Sequence, residues 1–316
     1  MPLAEMRNYR GSSPCPIDFD DYWREALAEL ETVPPCPELR PAAFRAPNVD
    51  CFDLYFDGVR GARIHAQLLL PQKDGGCPAL LQFHGYTSNA GAWRDKLSFA
   101  ATGFVVAAME CRGQGGLSQD TGGDLGATVY GHIIRGVGDE PKNLLMRHIF
   151  LDTVQLARVV MALPQVDAGR VAVMGGSQGG GLALACAGLE PRIARAVVDY
   201  PFLSDYKRVW ALNKARPGTA YAELTSWFRH FDPLHEREDM FFEQMGYIDV
   251  QNLASRIAAY TLMAITLMDD SCPPSTQFAA YNKIVAPKKL CIYPDWGHEM
   301  IPMQADIAYE FLRDWI

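Results

Sequence analysis

The apolar run Val171-Ala172-Val173-Met174 leads directly into Gly175-Gly176-Ser177-Gln178-Gly179. Gly180, Gly181 and the helix-prone Leu182-Ala183-Leu184-Ala185 follow. This pattern reads as a strand, a turn tight enough to need glycine, and a helix, with a serine at the apex. Such a turn pushes a hydroxyl out at the end of a sheet strand. A phosphate loop can also be Gly-rich, but the G-x-x-x-x-G-K-[ST] pattern needs a lysine and none follows here. The feature therefore points to a serine hydrolase. Such a site also needs a base, an orienting acid and an oxyanion hole.

The surrounding pattern supplies a sheet for that turn. Strand-like runs at 50–57 and 62–70 flank an Asp57-Gly58 turn signal, and others lie at 78–83, 103–109, 196–198, 260–267 and 288–293. Helical patterns cover 17–33, 147–163, 274–285 and 302–315. From residue 78 onward the two kinds alternate. That alternation predicts an α/β fold, a mostly parallel doubly wound sheet with helices on both faces and catalytic loops at the strand carboxyl ends. We expect one domain over 1–316, with an N-terminal helical extension (1–45) and a long Gly-rich loop (110–146). A helical insertion (202–250) follows the sixth strand and is rich in aromatic and charged residues. A structureless stretch as long as 110–146 is usually functional or an interface.

Composition narrows the partners. Of the 316 residues 21% are charged and the formal net charge is −8. Nothing in this balance suggests a nucleic-acid or anionic-membrane partner, which would need a basic patch. No run of apolar residues is long enough for a membrane span. Met1 to Asp18 lacks an apolar signal core, so no secretory signal is expected there. The eight cysteines include no C-x-x-C pair, which argues against a zinc ribbon or redox dithiol; with no secretory signal expected, reduced thiols in a cytoplasm are expected.

Three histidines follow Ser177: His230, His235 and His298. His298 stands in Tyr293-Pro294-Asp295-Trp296-Gly297-His298-Glu299, just after the last strand, where a base belongs. His230 and His235 sit among charges in the insertion and read as solvated. Asp269 and Asp270 both follow the 260–267 strand, in the order serine, acid, histidine. One of them is expected to orient the base and the other to serve as a turn residue. Asp295 is a third candidate, but it lies too close to His298 in sequence. For the oxyanion, the backbone N–H groups of Gln178 and of Tyr86, in His84-Gly85-Tyr86 after the 78–83 strand, are the expected donors. His84 reads as a loop brace.

Several segments carry a family resemblance. Arg112-Gly113-Gln114-Gly115-Gly116, the elbow around Ser177 and His298-Glu299 together resemble the signatures of carbohydrate esterase family 7. Its members are the acetyl xylan esterases and cephalosporin C deacetylases. Phe83-His84-Gly85-Tyr86, Asp199-Tyr200-Pro201-Phe202-Leu203, Leu267-Met268-Asp269 through Thr276 and Asp18-Phe19-Asp20-Asp21-Tyr22-Trp23 extend the likeness over nearly the whole chain. The resemblance implies an α/β-hydrolase fold with Ser177, Asp269 and His298 as triad and Tyr86 and Gln178 as oxyanion donors. It implies no metal or cofactor, a cytoplasmic homohexamer built as a trimer of dimers, and small acetylated sugars, xylo-oligosaccharides or cephalosporin C as substrates. Arg112 and Gln114 are expected to brace the Gly-rich loop against the elbow.

Leu144-Leu145-Met146-Arg147-His148 and the insertion depart from the family pattern. Both are expected to line a substrate entrance or an oligomer contact. Two other readings of the chain are a peptidase or dienelactone-type hydrolase on the same fold and a non-catalytic binding module. A binding module predicts a broken triad.

Overall fold

The computed structural model describes residues 1–73, 75–122 and 131–315. Gly123 and Gly126 of the Gly-rich stretch lie outside the described residues. Among these residues, nine strands form one sheet in the order β1-β2-β3-β5-β4-β6-β7-β8-β9. They are β1 (Glu38–Pro41), β2 (Val49–Asp57), β3 (Arg63–Pro71), β4 (Cys77–Phe83), β5 (Val105–Met109), β6 (Val166–Gly176), β7 (Arg195–Asp199), β8 (Tyr260–Thr266) and β9 (Lys288–Tyr293). β4 to β9 run parallel, and β1, β2 and β3 join them through antiparallel pairings.

Strand periodicity explains why both faces are covered. Successive side chains point to opposite faces. Ala79, Leu81, Val105, Ala107, Val171, Val173, Ala196 and Val198 enter the core shared with the helices Leu145–Met161 and Gln178–Leu189. The alternate residues Leu80, Val106, Ala172, Val197 and Leu262 pack with Phe99, Ala100, Ala308, Phe311 and Leu312, from the helices Leu97–Ala100 and Gln304–Leu312. Strands buried on both faces read as unbroken apolar runs, which is how β4 to β8 appear in the sequence.

The N-terminal helix Phe19–Glu31 buries Phe19, Trp23, Ala26 and Leu30, a stripe at helical spacing. Trp23 stacks on Phe150 at 5.9 Å and donates to the Tyr247 carbonyl at 3.0 Å, so the extension ties the helix Leu145–Met161 to the insertion. The insertion supplies the helices Tyr206–Ala211, Ala222–Phe231 and Glu238–Tyr247. Trp227 and Phe228 pack on Phe241 in it, with ring centroids 4.7 and 4.8 Å from that ring.

Three expectations change. The insertion follows the seventh strand, because Glu38–Pro41 adds an edge strand paired with β2. The reversal between β2 and β3 is made by Val59–Gly61, with Arg60 at φ 60° and Gly61 at φ 71°, one step beyond Asp57-Gly58. Leu144–His148 line no entrance: all five are buried, and Arg147 pairs with Glu29 of the N-terminal helix at 2.8 Å.

Candidate active site

Four strand ends converge on the site. Tyr86 follows β4, Ser177 follows β6, Asp269 follows β8 and His298 follows β9. All lie at the carboxyl edge of the parallel strands, where the loops of an open α/β sheet form clefts.

Ser177 has φ 56° and ψ −123°, a conformation that side chains rarely adopt. The surrounding hydrogen bonds hold it there. Its N–H donates to Asp199 O at 3.0 Å, and its carbonyl accepts from Gly181 at 3.0 Å and from Phe202 at 2.9 Å. A Cβ on Gly175 would lie 2.3 Å from the Gly179 backbone, and one on Gly179 would lie 2.0 Å from Phe83 O. The turn therefore closes only with glycine at these two positions.

Ser177 Oγ lies 3.0 Å from His298 Nε2, and His298 Nδ1 lies 2.9 Å from Asp269 Oδ2. Asp269 is buried and its carboxylate is saturated. Oδ1 accepts N–H bonds from Ser271 at 2.8 Å and Cys272 at 2.7 Å, and Oδ2 accepts from Thr266 Oγ1 at 3.2 Å and Gln277 Nε2 at 3.3 Å. The expectation that orienting and turn-making fall on different aspartates is thus corrected: Asp269 does both. The Asp270 side chain is 89% exposed and pairs with Lys214. Asp295, His230 and His235 are exposed, and His235 stacks on Phe228 at 4.4 Å.

Cys272 was not foreseen as a neighbour. Its Sγ and the ligand atoms of Asp269 and His298 lie within 4.8 Å of one another. Burial pushes that thiol well above its usual range, and Asp269 has no free lone pairs. The cluster is better suited to holding an imidazole than to holding a cation. Tyr200, held at φ 34°, packs edge-on against the His298 ring at 4.9 Å.

Among the described residues, neither the Tyr86 nor the Gln178 N–H has a hydrogen-bond acceptor. Gln178 opens the helix Gln178–Leu189, whose N-terminal dipole favours negative charge. Its side chain forms a reciprocal amide pair with Gln114. His84 braces the loop, with Nδ1 2.8 Å from Gly85 O and Nε2 accepting from Cys111 N at 3.0 Å. Arg112 forms a buried two-point pair with Asp152 at 2.6 and 2.7 Å and donates to Val59 O at 3.2 Å. An open cleft of ≈350 Å³ borders the elbow, lined by Gly175, Gly176, Asp199 and Tyr200, and another of ≈340 Å³ is lined by Met268, Asp269, Arg208 and Lys214; Ser177 lines neither.

A serine on a strand-to-helix elbow, with an aspartate and a histidine after the last two strands of such a sheet, places the protein among the α/β-hydrolases. Within that class the chain belongs to the acetyl xylan esterase family, a family of carboxylic ester hydrolases: the profile described as Acetyl xylan esterase (AXE1) matches residues 1–315. Acetyl Xylan Esterase 1 from Thermoanaerobacterium sp. JW/SL YS485 superimposes with a TM-score of 0.98 at 56% identity, covering 100% of this chain and 99% of that one. The acetyl xylan esterase from Paenibacillus sp. R4 gives 0.94 at 35% identity, with 100% of both chains covered. Acetyl esterase Axe7A of Xylanibacter ruminicola is 30% identical over 289 residues, 88% of this chain. The chain spans 62% of that relative's length.

Proposed function

We propose that the protein is a serine esterase that removes acetyl groups from small acetylated substrates through an acetyl-serine intermediate. The observation that carries this reading is the unbroken Ser177 Oγ–His298 Nε2–Asp269 contact chain. Acylation begins when His298 Nε2 takes the Ser177 proton as Oγ attacks the acetyl carbonyl carbon. Asp269 accepts from Nδ1–H and stabilises the imidazolium. The developing oxyanion is met by the N–H groups of Tyr86 and Gln178, each worth about 3–4 kcal/mol to such a transition state. Collapse breaks the ester C–O bond, and His298 returns its proton to the leaving alcohol. Water then repeats the sequence, releasing acetate and restoring Ser177.

The substrate class follows the family: acetylated xylo-oligosaccharides, acetylated sugars and cephalosporin C. We further propose a cytoplasmic homohexamer. Eight unpaired cysteines support a reducing compartment, and among the described residues no helix is long and apolar enough to cross a membrane. The intact contact chain disfavours a binding module. Acetate release across a panel of these esters, by the wild type and by Ser177→Ala, tests the reading. The wild type should release acetate from at least one of them and the variant from none. Turnover by Ser177→Ala would overturn the proposal.

A further inference from the structure

The helical insertion reaches the catalytic edge through one buried carboxylate. Glu223 lies in the first turn of the helix Ala222–Phe231 and is 2% exposed. Its Oε2 accepts N–H bonds from Ile133 at 2.6 Å and Ile134 at 3.2 Å, both in the Gly-rich stretch. Its Oε1 accepts the Tyr86 phenol, from a residue in the loop after β4. A charged acceptor shared by three donors from two other segments makes strong, directional contacts in a low-dielectric setting. Burial, and then the Glu223 charge, push the Tyr86 phenol far above its usual range, so it stays a proton donor.

The residues around Glu223 fasten the same helix to the elbow. Tyr221 packs on Phe202 at 4.1 Å, and its hydroxyl accepts from Leu203 N at 3.1 Å. Phe202 N–H donates to Ser177 O, and the Phe202 ring lies 5.8 Å from that of Tyr86. One helical turn thus grips both the Tyr86 loop and the chain that braces Ser177.

We propose that Glu223 is a positioning residue for the oxyanion hole: by holding the Tyr86 side chain it fixes where the Tyr86 N–H points. This rests on the esterase reading above. Glu223 touches no reacting atom. Without it, the Tyr86 loop loses its tether to the insertion, and an oxyanion donor misplaced by a fraction of an ångström loses much of its value.

The test compares Glu223→Gln, Tyr86→Phe and the double variant on p-nitrophenyl acetate. Active sites are counted by fluorophosphonate titration, and affinity is measured for a small boronic acid whose tetrahedral adduct on Ser177 mimics the oxyanion. Each single variant should lower kcat per titrated site by about tenfold with KM unchanged. Boronate affinity should fall by the same factor, and the double variant should be no worse than either single one. Wild-type kcat and boronate affinity in both single variants would overturn the proposal, as would fully additive losses. A merely structural role would reduce the titrated sites and leave kcat per site and boronate affinity unmoved. Ser177→Ala, run alongside, separates the two failures. If it stays active, the esterase reading fails; if it is inactive while the Glu223 and Tyr86 variants are normal, only this inference fails.

Discussion

Gln114 and Gln178 grip each other through both ends of their amides: Gln114 Nε2 donates to Gln178 Oε1 at 2.8 Å, and Gln178 Nε2 donates to Gln114 Oε1 at 3.2 Å. The pair joins the Gly-rich loop to the first residue of the elbow helix, whose backbone N–H has no acceptor among the described residues. Gln114→Ala leaves a buried amide without its partner, a loss of about 1–3 kcal/mol. We expect a lower thermal midpoint and a fall in kcat of about one order of magnitude with little change in KM. Steady-state kinetics and thermal unfolding check both.

Asp269 and Asp270 are adjacent, yet only one faces His298. Asp269→Asn should cut kcat on the order of 10³–10⁴-fold, the scale seen when a triad aspartate loses its charge and its hold on the histidine tautomer. Asp270→Asn removes only an exposed ion pair with Lys214 and should leave kcat and stability at wild-type levels. Parallel kinetics on the two variants check the assignment. Equal losses would place the acid wrongly.

Arg112 and Asp152 form a pair with each side chain about 1% exposed. Removing one partner of such a pair strands the other charge in the interior. Arg112→Ala should therefore cost about 3–5 kcal/mol of stability. Denaturant unfolding measures this directly, and a cost near zero would show that the pair does not brace the loop.

Asp199 sits against the elbow, and its pKa is pushed up from 3.8 to about 6 by burial, a rise partly offset by the Gln304 amide at 2.8 Å. A carboxyl with a raised folded pKa stabilises the fold below its unfolded value. That contribution is lost as pH rises through the folded value. Relative to the wild type, Asp199→Asn should gain about 2–3 kcal/mol between pH 4 and pH 7, with most of the gain appearing between about pH 4 and pH 6 and the rest by pH 7. Unfolding free energies of both proteins across that range check the sign.

Much of the fold is legible in local pattern. β4 to β8 announce themselves because strands covered on both faces leave apolar runs. β1 does not: Glu38-Leu39-Arg40-Pro41 is largely exposed, carries one aliphatic residue before a proline, and is a strand only through its pairing with β2. In the site, Ser177 and His298 stand out because strand, turn and chain order mark them. The split between Asp269 and Asp270 depends on which carboxylate turns inward, and local sequence does not encode that. Glu223 leaves no signal at all, because it is an acidic residue in an amphipathic helix whose partner Tyr86 lies 137 positions away.

During turnover Ser177 should carry the acetyl group. Rapid quenching of the wild-type enzyme during turnover of an activated acetyl ester, followed by peptide mapping, tests it most directly. The acetyl group should appear on the peptide bearing Ser177, in an amount that decays on the timescale of acetate release. Acetate release with no acetyl group on that peptide, or with the label on another residue, would rule out Ser177 as the acyl acceptor.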